Sequence, residues 1–319
     1  MLRFLLRRVL QGIAVMWLVA TVVFAMYFIA PHDVARLLAG RQATPQTVAA
    51  VSRALGLNRP ILSQYGSYLW HALHGNLGYS YVNSSPVITL IRQSVPATFS
   101  LALGGAVIWL AIGVSSGVLT ATRARSAADR ITTGVALLFY SMPTFLLGEL
   151  LLLLFFLEFH NLGIGWFPAS GYVPFTQSPA QWALHLVLPW LTIALVSAAT
   201  YTRLTRASML DVLGEDYIRT ARAKGLTKRR VTYRHSLRAA LTPIVTQFGI
   251  DVGTLLGGVI VTETIFGLPG LGRLAINSIS HQDLPTIIGL VLLGSAFVVV
   301  ANLLVDVAYA ALDPRVRRS

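Results

Sequence analysis

Six stretches of this chain are apolar for long enough to cross a bilayer, and that settles what solvent the chain must fold in. They run over about Val9–Ala30, Ala97–Thr122, Ile131–Phe159, Leu186–Thr202, Ala239–Ile265 and Leu284–Ala311. A helix rises about 1.5 Å per residue, so roughly 20 apolar residues span a hydrocarbon core of about 30 Å. The whole chain agrees: of 319 residues, 55% are hydrophobic and 12% charged, against about 25% charged in a soluble domain. The expected fold is an all-α membrane protein with six transmembrane helices. The fourth stretch holds Pro189 near its start and Tyr201 near its end, so its clearest core is Trp190–Ala199.

Orientation follows from the basic residues, because loops kept in the cytoplasm carry the excess of Lys and Arg. Arg3, Arg7 and Arg8 precede the first span, and Arg123, Arg125 and Arg130 lie between the second and third. The segment Arg203–Arg238 is the most basic of the chain, and Arg315, Arg317 and Arg318 follow the last span. Both termini are therefore expected to be cytoplasmic. The first stretch has a basic start and an apolar core like a signal peptide, but the core is too long, and it reads as an uncleaved anchor. The formal charge of +13 serves topology and anionic headgroups, with membrane lipids as partners and no nucleic acid.

These placements divide the chain into a cytoplasmic N-terminus and first helix over 1–30, an extracytoplasmic segment over 31–96, a five-helix core over 97–311 and a cytoplasmic tail over 312–319. The extracytoplasmic segment holds a helix-like run at Pro45–Leu55, then turn formers at Asn58-Arg59-Pro60, Gly75-Asn76 and Asn83-Ser84-Ser85-Pro86. Further outer loops are expected at Asn161–His185 and about Phe266–Asp283. The core includes an inner loop over 203–238, where apolar and basic residues alternate at roughly helical spacing. There Ala221, Leu226 and Val231 can share a buried side while Arg222, Lys224, Lys228, Arg229 and Arg230 face water or a partner. Such a segment suits either an interfacial helix on anionic lipid or a docking element for a cytoplasmic protein. Gly225 between two short helical runs permits a tight turn that surface adsorption does not need.

Catalytic constellations are missing from the sequence. The two lysines, Lys224 and Lys228, follow no glycine-rich loop, so there is no G-x-x-x-x-G-K-[ST], and neither G-x-S-x-G nor H-E-x-x-H occurs. With no cysteine, thiolate chemistry and Cys-ligated metal are excluded. His71 and His74 form the one close histidine pair and lack a third ligand, so no metal site is assigned. Ionisable residues at membrane depth are costly and often mark a pathway. Glu149 and Asp251 are the candidates, and Tyr140, Gln247 and Asp251 are expected to line the pathway.

The inner loop carries a resemblance. Asp216-Tyr217-Ile218-Arg219-Thr220-Ala221-Arg222-Ala223-Lys224-Gly225-Leu226, followed by His235-Ser236-Leu237-Arg238, resembles the EAA loop of ATP-binding-cassette (ABC) importer permeases in its peptide-transporter form. It is most similar to the first permease of the dipeptide/oligopeptide/nickel group. Placing the loop's glycine on Gly225 puts Arg219-Thr220-Ala221 on E-A-A; Ala221, Gly225 and Leu237 match the generic pattern, and D-Y-x-R-T-A-x-A-K-G-L is the peptide-group version. Leu55-Gly56-Leu57-Asn58-Arg59-Pro60, Gly75-Asn76-Leu77-Gly78, Ser141-Met142-Pro143-Thr144-Phe145 and Phe167-Pro168-Ala169-Ser170-Gly171 also resemble this group. So do Glu263-Thr264-Ile265-Phe266-Gly267-Leu268-Pro269-Gly270-Leu271-Gly272 and Leu312-Asp313-Pro314-Arg315. The group's Asp-Tyr-Pro stands here as Asp283-Leu284-Pro285.

The resemblance implies a type I ABC importer permease in a bacterial plasma (inner) membrane, non-catalytic, with no cofactor on this chain. ATP and Mg would bind two partner ATPase subunits. A second homologous permease would complete the pathway, and an extracytoplasmic binding protein would deliver di- or oligopeptides. It also implies that Asp216, Tyr217, Arg219, Thr220, Ala221, Ala223, Lys224, Gly225, Leu226 and Leu237 belong to the ATPase-coupling loop. Nickel complexes or other small solutes are the alternative cargo. A secondary transporter would need an inverted repeat with interrupted helices, and the two halves show no convincing repeat.

Overall fold

The computed structural model of the chain describes residues 2–26, 44–54, 58–80, 82–163 and 165–312. Regular structure among these is helical apart from one short antiparallel ribbon. In chain order it comprises α1 (Leu2–Phe24), α2 (Pro45–Ala54), α3 (Ile61–Leu73), strands β1 (Tyr79–Ser80) and β2 (Ser85–Pro86), and α4 (Val87–Thr122). Then come α5 (Ala127–Ser141), α6 (Thr144–Leu151) with a π-helical continuation at Leu152–Glu158, α7 (Pro179–Leu213) and α8 (Asp216–Ala223). A second π-helical stretch, Val231–Leu237, leads into α9 (Arg238–Ile265), followed by α10 (Leu271–Ser280) and α11 (Leu284–Leu312).

Among the described residues five helices are long and apolar enough to cross a membrane: Leu6–Phe24, Val87–Thr122, Thr144–Asn161, Pro179–Leu213 and Leu284–Leu304. The expected Ala239–Ile265 coincides with α9, of which the side chains of 253, 254 and 256–258 lie outside the described residues. The expected third span, Ile131–Phe159, is corrected. Met142 turns to extended backbone (φ −83°, ψ 128°) and ends α5, because Pro143 disfavours helix at the residue before it and cannot donate into the preceding turn. The apolar crossing there begins afresh at Thr144. The fourth span is much longer than Leu186–Thr202. Ser178 caps its start by accepting from the Gln181 N–H, and the polar run Arg203–Asp211 continues the helix past the apolar window. The outer loop expected at Phe266–Asp283 contains a helix, α10. Residues 27–30 of the first expected span, Leu55–Leu57 and the tail 313–319 lie outside the described residues.

Contacts divide the chain into two compact units, Met1–Val95 with Arg273–Leu303, and Pro96–Gly272 with Leu304–Ser319. In the first, the Phe24 ring of α1 packs on Tyr65 and Tyr68 of α3 at centroid distances of 5.1 and 5.6 Å, and Thr21 shares a 2.6 Å hydrogen bond with the Tyr65 hydroxyl. The helix expected at Pro45–Leu55 is α2, whereas α3 lies between the turn formers of 58–60 and 75–76, where no element was expected, and the ribbon pairs Tyr79–Ser80 with Ser85–Pro86 of the last of them. Asp283, almost fully buried, fastens the ribbon to the start of α11. Its Oδ2 accepts from Ser80 Oγ (2.6 Å), Thr286 Oγ1 (2.7 Å) and Asn83 Nδ2 (3.3 Å).

The second unit is built around α4, α7 and α9. Leu101 and Trp109, Leu186, Ile193 and Tyr201, and Ile244 and Val259 meet in one core with Phe266 and Leu268. Small residues let α4 and α7 approach closely: a Cβ on Gly113 would strike Tyr201, and one on Gly117 would strike Thr205. In lipid there is no hydrophobic drive between helices, so such van der Waals contact carries the association.

Candidate coupling turn and central cleft

The basic loop over 203–238 is mostly helix. α7 runs on to Leu213, Gly214 and Glu215 turn the chain, and α8 begins at Asp216. Ile218 and Ala221, one helical turn apart on α8, are buried with Val231 against Val212, Leu213 and Leu226. The turn at Gly225 then closes α8. Gly225 adopts φ +74°, its N–H donates to Arg222 O (3.0 Å), and the Leu226 N–H donates back to Ala221 O (3.3 Å). That pairing is a Schellman cap, whose left-handed residue is ordinarily glycine. Thr227 at once caps the next helical turn by accepting from the Arg230 N–H.

The loop residues singled out from the sequence thus part into two sets. Asp216, Tyr217, Arg219, Thr220, Ala223, Lys224 and Gly225 are exposed, while Ala221 is buried and Leu226 half-buried against the chain itself. Leu237 packs on the core of Val118, Ala121, Met209 and Ala240, where the C-terminal ends of α4 and α7 meet the start of α9. Desolvation and the neighbouring Glu215 push the Tyr217 phenol above its ordinary range, which keeps it a neutral donor on the exposed face.

The three residues expected to line the pathway meet in one cleft of about 340 Å³. Gln247 and Asp251, four residues apart on α9, share a face. Gln247 Nε2 donates to Asp251 Oδ1 (2.8 Å) and the Tyr201 hydroxyl of α7 donates to Oδ2 (2.7 Å). Tyr140, from the last turn of α5, and Thr144, from the first of α6, flank the Pro143 break on the same cleft, with Trp109, Ser197 and Thr200 opposite. The Arg203 guanidinium lies 5.4 Å from the Tyr140 ring centre, in cation–π range. Glu149, the other candidate carboxylate, does not join them: it is exposed on α6.

Residues 111–318 match the family of binding-protein-dependent transport system inner membrane components, and residues 1–102 match the N-terminal part of such a membrane component. The chain belongs to this family. It is 42% identical to a putative peptide transport system permease protein of Brucella abortus (98% of each chain covered). It is 39% identical to the dipeptide transport system permease protein DppB of Escherichia coli K12 and 38% identical to a glutathione transport system permease protein, GsiC, of E. coli O6:H1 (99% of each chain covered in both cases). In fold it is similar to a chain of the inward-facing MetNI methionine ABC transporter, with a TM-score of 0.54 at 18% identity over 71% of this chain and 97% of that one.

Two further tie points of this permease escaped the sequence reading. Asp129, buried in the first turn of α5, receives a bidentate pair from Arg206 of α7, Nε to Oδ1 at 2.9 Å and Nη2 to Oδ2 at 3.0 Å, together with the Arg125 N–H at 2.9 Å. The Arg206 hydrogen bond, then that of the Arg125 backbone, hold the Asp129 carboxyl at about 2, against an ordinary 3.8. The only signal was Ser126-x-x-Asp129, a helix-start pattern, in which Ser126 caps the Asp129 N–H; its partner lies far along the chain. Glu263 belongs to a motif that was noticed, yet its role needed coordinates. Fully buried, it accepts from Thr98 Oγ1 (2.6 Å), which itself accepts from the Leu271 N–H (2.8 Å). A Cβ on Gly270 would strike the Glu263 carboxylate, so the glycine lets the loop close over the acid. His71 and His74 turn their Nδ1 atoms back to Ser67 O and Trp70 O of their own helix.

Proposed function

We propose that this permease forms half of the translocation pathway of a type I ABC importer for di- and oligopeptides. Six spans carry it through a bacterial inner membrane with both termini in the cytoplasm. A second homologous permease completes the pathway, two ATPase subunits bind ATP and Mg, and an extracytoplasmic binding protein delivers the peptide. Relatives named for peptide, dipeptide and glutathione transport, matched over nearly their whole length, support the cargo class. The chain itself performs no chemistry.

The observation that carries this reading is the seating of α8. Its apolar side is locked into its own chain through Ile218 and Ala221, and both ends turn sharply, while Tyr217, Thr220 and Lys224 are open. A short helix so fixed to α7 and to the stretch leading into α9 moves with them as a rigid body. When ATPase subunits close on ATP they displace it, and the spans follow from an inward-open to an outward-open arrangement.

The sequence has no cysteine, so an introduced cysteine is its single thiol for cross-linking. In the assembled transporter Thr220→Cys should cross-link to an ATPase subunit, with a yield that changes when ATP is trapped, and Ala221→Cys should not. No ATPase adduct from Thr220→Cys, or equal adducts from both, would remove the basis of the coupling assignment.

A further inference from the structure

The cleft between α4, α5, α6, α7 and α9 has a chemistry more specific than a tolerant passage requires. Its one carboxylate among the lining residues, Asp251, is positioned from two sides by neutral donors, the Tyr201 hydroxyl and the Gln247 amide. These two bonds fix the orientation of the acid. Around it stand two hydroxyls, Ser197 and Thr200, and two aromatic walls, Tyr140 and Trp109. The Pro143 break lies beside this volume: Tyr140 in the last turn of α5, which ends at Ser141, and Thr144 at the start of α6 both line the cleft.

We propose that this cleft is a binding site for the protonated amino end of a peptide, with Asp251 receiving the ammonium. A primary ammonium is a compact cation with three donors. It suits an oriented carboxylate beside hydroxyls and aromatic faces. An acetylated amine offers neither the charge nor the donors. The proposal rests on the peptide-importer reading and adds to it a selectivity located in the permease, separate from that of the binding protein.

The test uses the purified transporter complex in nanodiscs without binding protein, so that the permease alone is read. Saturation-transfer NMR titrates L-alanyl-L-alanine and its N-acetyl derivative. The unmodified complex should bind the free-amine dipeptide about tenfold or more tightly than the acetylated one, the order expected for a charged hydrogen bond, and Asp251→Asn should abolish that preference. Ser197→Lys, which places an internal ammonium in the cleft and leaves Asp251 intact, should abolish it too, and decides the matter if Asp251→Asn does not assemble. Equal binding of the two dipeptides to the unmodified complex, or a preference that survives in an assembled variant, overturns the proposal. Uptake of L-alanyl-L-alanine by the complete transporter separates this from the broader reading. No uptake removes the peptide-importer assignment, whereas uptake without amine preference in the cleft removes only the site.

Discussion

Replacing Gly225 tests whether the seat of α8 depends on one backbone conformation. The residue sits at φ +74°, and a Cβ built there would meet nothing within 4 Å, so any cost of substitution is backbone strain and not crowding. The left-handed region costs an ordinary L-residue about 1–2 kcal/mol, with β-branched residues at the upper end and asparagine well tolerated. Burying Ile218 contributes about 2–3 kcal/mol to holding α8 down. Gly225→Val therefore offsets most of what Ile218 supplies, and about 2 kcal/mol lowers the ratio of seated to unseated helix roughly thirtyfold. Two assays read this. Trypsin should cut faster after the exposed Arg219, Arg222 and Lys224, and peptide uptake per ATP hydrolysed in proteoliposomes should fall several-fold, while insertion and complex assembly persist. Gly225→Asn should stay near the unmodified protein in both. If the valine and asparagine variants are cut and coupled alike, the left-handed turn is not what seats the helix and the reasoning fails.

Ala221→Asp should act within the chain and not at a partner surface: it places a charge against Ile218 and Val231, costs on the order of several kcal/mol, and should expose the α8 turn to protease even without ATPase subunits present. Gly117→Val should lower the thermal midpoint of the detergent-purified protein, since its side chain meets Thr205 and overpacking costs about 1–3 kcal/mol; Gly134→Ala, with nothing within 4 Å of its Cβ, should not. Because Asp129 has its carboxyl lowered to about 2 from 3.8, its tie to Arg206 stabilises the fold fully above about pH 4 and is lost as pH falls towards 2. Thermal unfolding across that window should steepen with acid in the unmodified protein and flatten in Asp129→Asn; identical pH profiles would show that the pair does not hold α5 to α7.

Legibility in the sequence tracked how local each cause is. Apolar runs located α9 and α11 almost to the residue, because span length is set by the thickness of lipid and by nothing distant. The Gly225 turn was equally legible, since a glycine between short helical runs carries its own conformational reason. By contrast, hydropathy merged α5 and α6 into one span. A window that averages side chains passes over Pro143, whose effect is exerted through the backbone of Met142. The same averaging truncated α7, whose polar C-terminal end remains helical through its own hydrogen bonds, and missed α3, which packs through Tyr65 and Tyr68 against Phe24.

The sequence by itself determined that the chain lives in a membrane, roughly where most of its apolar helices fall and, through motifs that resemble those of known permeases, the family to which it belongs. The membrane solvent and the apolar helices follow from composition and periodicity, whose causes act within a few turns of helix. Tertiary structure decided what the buried side of the loop over 203–238 meets, seating Ala221 with Ile218 and Val231 against Val212, Leu213 and Leu226. It also decided that Tyr201, fifty residues from Asp251, should hold the carboxylate in the cleft, and that Arg206 should pair with Asp129. Contacts of that kind depend on how α4, α5, α7 and α9 pack. Packing is set by small residues such as Gly113 and Gly117 meeting particular side chains on another helix, and no pattern along a single segment records which side chains those are.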